Sequence, residues 1–171
     1  CAALYRRSML EDIGLFAEEF FAYCEDTDLG LRGIWAGWKT AVAPRAVVFH
    51  KYSASSGGYS PFKLYLVERN HFFVALRNFP LRALAPMPLW TAYRYALMAY
   101  AACTGAGKGQ AATEGGMRLF LGALLRGIGA AVWDGLGQLR RRPPRKRIGA
   151  GEFASLLERY RMPIHRLVLN G

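Results

Sequence analysis

The stretch Phe20-Phe21-Ala22-Tyr23-Cys24-Glu25-Asp26-Thr27-Asp28-Leu29-Gly30-Leu31-Arg32 sets three carboxylates within four positions, directly after an aromatic run. Charges packed that closely repel one another, so a fold keeps them only where helix ends, cations or a reacting proton compensate. A helix starting at Glu25 or Asp26 and running to about Gly37 aims free backbone N–H groups at these carboxylates, worth ~0.3–1 kcal/mol each. Asp28 and Arg32 lie four apart, acid before base, the order that supports a helix by ~0.2–0.5 kcal/mol. Leu31, Ile34, Trp35 and Trp38 fall at helical spacing and give the element a buried face. Glu25 and Asp26 are left without a partner in the sequence, so they either cap the helix or do chemistry.

Upstream, residues 1–7 read as a short strand, and Ser8 is a candidate cap for a helix from Met9 to Ile13 that Gly14 stops. Downstream, the β-branched runs Lys39–Ala43 and Ala46–Phe49 read as extended, with Pro44 between them. His50 ends the second run. In an open parallel sheet that position lines the ligand crevice, so His50 is either a metal ligand or an ordinary surface histidine. Lys51–Pro61 is a Ser/Gly loop, either a plain connection or a lid over a diphosphate. A helix from Phe62 to about Asn78 follows, stopped by Pro80. Within it Arg69 is either a phosphate clamp or an ordinary exposed arginine.

Beyond Pro80 the chain turns Ala/Leu/Gly-rich and nearly acid-free. Met87–Cys103 is almost wholly apolar, but Arg94 interrupts the ~20 clean residues that a bilayer span needs. Trp90, Tyr93, Leu97 and Tyr100 make one helical stripe of the kind that suits a membrane–water interface. Leu119–Leu139 carries Arg126, Asp134 and five glycines, which weaken its helix. Arg140–Arg147 holds six basic residues in eight, either a solvated linker or an anchor to anionic lipid. Glu152–Tyr160 reads as a short amphipathic helix.

The 171 residues carry a net charge of +11, yet residues 1–28 hold seven acids against two arginines, leaving the remainder at +16. Such a remainder implies an anionic partner: substrate phosphates, a lipid surface or nucleic acid. Cys1, Cys24 and Cys103 are an odd number without metal spacing, consistent with free thiols in a reducing compartment.

The motif Phe20-Phe21-x-Tyr23-x-Glu25-Asp26-x-Asp28-Leu29-x-Leu31-Arg32, followed by Ala36-Gly37-Trp38, resembles the acceptor-side motif of family 2 glycosyltransferases, the inverting GT-A enzymes that include rhamnosyltransferase-like proteins. Ala2–Arg7 and Gly14–Phe21 are similar to the segment before it, and Val47–Ser55 and Glu68-Arg69-Asn70 to the next two blocks. Ala17 departs from the family's usual Asp. The resemblance implies an α/β fold: residues 1–80 as the acceptor-side half of a GT-A, Rossmann-like catalytic domain, residues 81–147 as membrane-associated helices with a basic end, and residues 148–171 as a tail.

It further implies that Asp26 is the general base and that Glu25, also catalytic, orients it or binds acceptor hydroxyls. Asp28, Trp38, Ser53, Ser55 and Arg69 are then substrate contacts, and His50 helps bind Mg²⁺ or Mn²⁺. The implied partners are a nucleotide-diphospho-sugar donor, a glycan or lipid-linked acceptor of cell-surface polysaccharide synthesis, and an anionic membrane surface at the cytoplasmic face of a bacterial inner membrane. With the donor-binding strands and Asp-x-Asp of that family absent, the chain reads as a C-terminal piece that turns nothing over alone. Two other classes stay open: a non-enzymatic membrane-associated module, and a basic nucleic-acid-binding domain. No zinc finger, RNP motif or helix-turn-helix pattern is present, so no nucleic-acid partner is expected.

Overall fold

A computed structural model describes residues 2–49, 60–104, 117–143 and 146–169. Its described residues are helical and contain no strand: α1 (Arg7–Ile13), a 3-10 turn (Glu18–Phe20), α2 (Glu25–Trp35), α3 (Pro61–Asn78), α4 (Leu81–Leu84), α5 (Met87–Thr104), α6 (Met117–Trp133), α7 (Gly135–Arg140), α8 (Ala150–Arg159) and α9 (Ile164–Leu169). This overturns the α/β, Rossmann-like class expected from the sequence. The expected strands at residues 1–7 and 39–49 have no ladder to join: residues 2–6 and 39–43 are irregular coil, and residues 39–49 lie exposed. An extended segment is stable as a strand only when its backbone groups pair with a neighbour, and β-branched composition alone supplies none.

The helix boundaries follow local chemistry. Gly14 and Gly37 take the left-handed region (φ 83° and 80°), ending α1 and the turn after α2. Ser8 does not cap α1, which begins two residues early at Arg7. The α3 start is built from Ser60, whose Oγ accepts from the Lys63 N–H at 3.1 Å, with Pro61 in the first turn, where its missing N–H costs nothing. Asp134 breaks the last apolar stretch into α6 and α7.

The long helix α3 is the centre of the molecule, with α6 and α7 packed along one side and α2 and the 3-10 turn on another. Phe20, Phe73, Val74 and Ala131 form the core cluster, and the Phe20 and Phe73 rings meet edge to face at 6.0 Å. Gly127 lets α6 approach α3 closely: a Cβ there would stand 2.9 Å from the Glu68 Cβ and 3.1 Å from the Tyr65 carbonyl oxygen.

Residues from the end of the chain return to α2. The fully buried Phe153 of α8 stacks on Trp35 with ring centroids 4.0 Å apart, and the Arg147 N–H donates to the Trp35 carbonyl at 2.8 Å. Within the basic run, Arg142 donates to the carbonyls of Leu76 and Phe79 at the C-terminal end of α3, Arg141 pairs with Glu19 and Asp134, and Arg147 pairs with Asp12. Cationic groups there answer the exposed carbonyls and negative dipole end of α3. No helix among the described residues is long and apolar enough to cross a membrane.

Candidate functional site

The acidic element sits where the sequence places it, at the start of α2, with Glu25, Asp26 and Asp28 in the first turn. Its three carboxylates occupy different environments. Asp28 is fully buried, accepting from Arg32 Nε at 2.8 Å and Asn78 Nδ2 at 2.8 Å, with Arg77 Nε 3.2 Å away. Arg32 in turn donates to the carbonyls of Ile13 at 2.6 Å and Leu15 at 2.7 Å. The Asp28–Arg32 pair therefore ties α1, α2 and α3 together. Asp26 is exposed, and its Oδ1 accepts from the backbone N–H of Thr27 at 2.7 Å. Glu25 lies between these extremes, half-buried, and its Oε2 is buried without a partner among the described residues.

The loop leading into α2 is strained. Phe21, Tyr23 and Cys24 all have positive φ, at 61°, 70° and 66°. Left-handed backbone costs a side-chain-bearing residue ~1–2 kcal/mol, so this loop persists only because other groups determine it. Those groups are Arg69 and Asn70 of α3. Asn70 Nδ2 stands 3.0, 2.8 and 2.7 Å from the carbonyl oxygens of Phe20, Ala22 and Tyr23. Arg69 Nη2 donates to the carbonyls of Glu19 at 3.0 Å and Phe20 at 3.1 Å, and its Nε donates to Asn70 Oδ1. The guanidinium also lies over the rings of Tyr65 and Phe73. Two adjacent α3 side chains thus collect the loop carbonyls and aim α2, with Glu25 and Asp26 at its tip.

Cys24, the last residue of that loop, is a free thiol. Burial pushes its pKa up to about 11, and the charges of Asp26, Glu25 and Glu68 push in the same direction. It is a neutral packing group and a poor nucleophile.

Trp38 is half-buried, and its Nε1 donates to Asp12 Oδ2 at 3.0 Å. His50, Ser53 and Ser55 lie outside the described residues. Among the described residues no three His, Cys, Asp or Glu side chains gather closely enough to hold a metal ion. Glu25 and Asp26 come together with the loop; Asp28 and Arg69 serve packing and loop contacts. The sequence reading gave no role to Asn70 or Asn78. Their only signal was polar side chains at core-facing positions of a helix.

Over 54 residues the chain is 44% identical to the N-acetylglucosaminyl-diphospho-decaprenol L-rhamnosyltransferase of two Mycobacterium tuberculosis strains, CDC 1551 / Oshkosh and H37Rv. The match takes in 32% of this chain and 18% of the relative's length. No family profile matches the chain, and no solved structure does. These similarities point to a glycosyltransferase and go no further.

Proposed function

We propose that this chain supplies the acceptor side of a glycosyltransferase that moves a sugar from a nucleotide-diphospho-sugar to a lipid-linked or glycan acceptor, in cell-surface polysaccharide synthesis. The observation that carries the reading is the contrast within the acidic element. Asp28 is closed in by Arg32, Asn78 and Arg77, whereas Asp26 is exposed on a helix tip whose approach loop is fixed by Arg69 and Asn70. A general base needs that combination of access and fixed position.

In the proposed step the Asp26 carboxylate takes the proton of an acceptor hydroxyl as its oxygen bonds to the anomeric carbon. The bond from that carbon to the diphosphate breaks on the opposite face, inverting the centre and releasing a nucleoside diphosphate. Glu25, half-buried beside Asp26 in the first turn of α2, is the second acceptor contact.

The test is Asp26→Asn in the transferase that carries this chain, with transfer of labelled sugar as the readout. Loss of ~10²–10⁴-fold in turnover with unchanged circular dichroism is expected. Undiminished turnover overturns the assignment.

We further read the chain as lying on the cytoplasmic face of a membrane without spanning it. Supporting this are the exposed apolar side chains Leu89, Trp90 and Tyr93 of α5 and Leu125, Val132 and Trp133 of α6. Flotation with anionic vesicles, lost in carbonate, is the expected result; retention through carbonate extraction overturns it.

A further inference from the structure

Phe21 stands where both the backbone and the solvent favour glycine. The Ala22 N–H donates to the Phe20 carbonyl at 2.7 Å, closing a three-residue turn around Phe21 at φ 61° and ψ −62°. That turn is rare and strained for a residue with a side chain, whereas glycine enters it freely. The Phe21 side chain is also 77% exposed. Phe20 beside it is fully buried, and Arg69 and Asn70 hold the loop through its carbonyls, so the fold fixes this loop from the other side. A strained backbone that presents a large ring to solvent points to a ligand outside the chain.

The ring does not stand alone. Phe62 of α3, itself 59% exposed, meets it edge to face at 6.2 Å, and Tyr65 lies 6.5 Å beyond Phe62. Glu25 and Asp26 follow Phe21 by four and five positions, at the tip of α2. This combination discriminates between occupants. Two carboxylates repel a phosphate or any other anion, and they accept from hydroxyls. Exposed aromatic faces carry partial negative charge and take weakly positive C–H groups. A wholly apolar partner would strip water from the carboxylates and leave them unpaired. A neutral pyranose offers both groups at once, hydroxyls around its rim and axial C–H groups on its face.

We infer that Phe21 and Phe62 are the platform on which a neutral pyranose ring of the acceptor lies, its axial C–H face against the rings and its hydroxyls toward Glu25 and Asp26. This rests on the proposed function for there being a sugar acceptor, and it makes Phe21 and Phe62 the residues that select a neutral ring.

The test is NMR titration of the full chain with methyl β-D-glucopyranoside and methyl β-D-galactopyranoside. Methyl β-D-glucuronide is the anionic control and uridine the nucleobase control. At least one neutral glycoside is expected to bind about tenfold more tightly than the glucuronide, with saturation transferred chiefly to its axial C–H protons. Phe21→Gly, which suits the turn, and Phe62→Ala, at the exposed start of α3, are each expected to weaken that glycoside about tenfold with unchanged circular dichroism. Phe21→Tyr keeps the ring and is expected to bind as the native chain does. Absence of binding by both glycosides, or affinity unchanged in Phe21→Gly and Phe62→Ala, overturns the inference. Tighter binding of uridine that Phe21→Gly removes also overturns it, in favour of a nucleobase. Self-association that Phe21→Gly abolishes, without glycoside binding, overturns it in favour of a second copy of the chain. The titration contains no sugar donor, so failure here with Asp26-dependent transfer intact removes the platform alone. Platform binding without Asp26-dependent transfer removes the proposed reaction alone.

Discussion

Glu68 of α3 and Arg94 of α5 form a two-pronged ion pair, Nη1 to Oε1 at 2.9 Å and Nη2 to Oε2 at 2.5 Å, and the Tyr95 hydroxyl donates to the same carboxylate at 2.8 Å. The charge that interrupts the apolar run of α5 is thereby neutralised against α3. Glu68 is almost wholly buried, so Arg94→Met leaves an unpaired charge in the interior and is expected to cost ~3–5 kcal/mol in urea unfolding. Glu68→Gln combined with Arg94→Met removes both charges and is expected to recover much of that loss. Equal destabilisation in the single and double variants would show that packing, not charge, holds α5 in place.

The same pair sets a pH dependence. Burial pushes the Glu68 carboxyl upward, but the hydrogen bond and charge of Arg94, with the Tyr95 hydroxyl, outweigh it and hold its pKa below the ordinary value. A group depressed in the folded state contributes stability above its unfolded pKa, ~4.3, and that contribution is lost as pH falls through the folded value. The stability advantage of the native chain over Glu68→Gln is therefore expected to be full at neutral pH and to shrink below about pH 4. A pH-independent difference between the two proteins contradicts the assignment.

Asn70 is the clasp of the strained loop, and its loss leaves carbonyls of Phe20, Ala22 and Tyr23 without their shared donor. Asn70→Ala is expected to cost ~1–3 kcal/mol, and Asn70→Asp at least as much because it sets an anion against carbonyl oxygens. Hydrogen exchange across residues 20–28 is expected to accelerate in both variants while α5 stays protected. Uniform acceleration over the whole chain would mean that Asn70 supports global stability instead of this loop.

The Cys24 thiol, held up to about pH 11, is expected to alkylate with iodoacetamide far more slowly at pH 8 than Cys103, which is exposed on α5. Its folded pKa lies above the ~8.5 of a free thiol, so its contribution to stability is complete below that value and fades as pH rises toward 11. Peptide-resolved mass spectrometry reads both thiols in one sample, and comparable rates at pH 8 would contradict the burial of Cys24.

Short-range signals made part of this structure legible. Asp28 and Arg32 pair because four residues separate them on one helix, and Gly14, Gly37, Pro61 and Pro80 stop or start helices by backbone chemistry that any neighbour leaves unchanged. Residues 46–49 misled because β-branched composition marks what fits a sheet without supplying one. Arg142 read as part of a lipid-facing run, yet it caps α3 from 63 residues away. The Glu68–Arg94 pair, 26 residues apart, and the reach of Asn70 back across 50 to Phe20 are products of tertiary packing, which no periodicity encodes.

Two neighbouring glycines of α6 give the sharpest contrast. A Cβ at Gly127 would lie 2.9 Å from Glu68 Cβ, 3.1 Å from the Tyr65 carbonyl oxygen and 3.3 Å from the Arg69 N. Two of those atoms are backbone of α3, and the third belongs to the residue that holds Arg94, so the helices must part to admit a methyl group. Overpacking of this kind costs ~1–3 kcal/mol, more than the ~1 kcal/mol that replacing glycine with alanine returns in helix propensity. At Gly129 nothing stands within 4 Å, so only the propensity gain remains. Gly127→Ala is expected to lower the urea midpoint and Gly129→Ala to raise it, with equal slopes in both. The shift at Gly127 should also loosen the Glu68–Arg94 pair, so Arg94→Met is expected to cost less in the Gly127→Ala background than in the native one. Strict additivity of the two substitutions would show that the α3–α6 spacing and the α3–α5 ion pair are set independently.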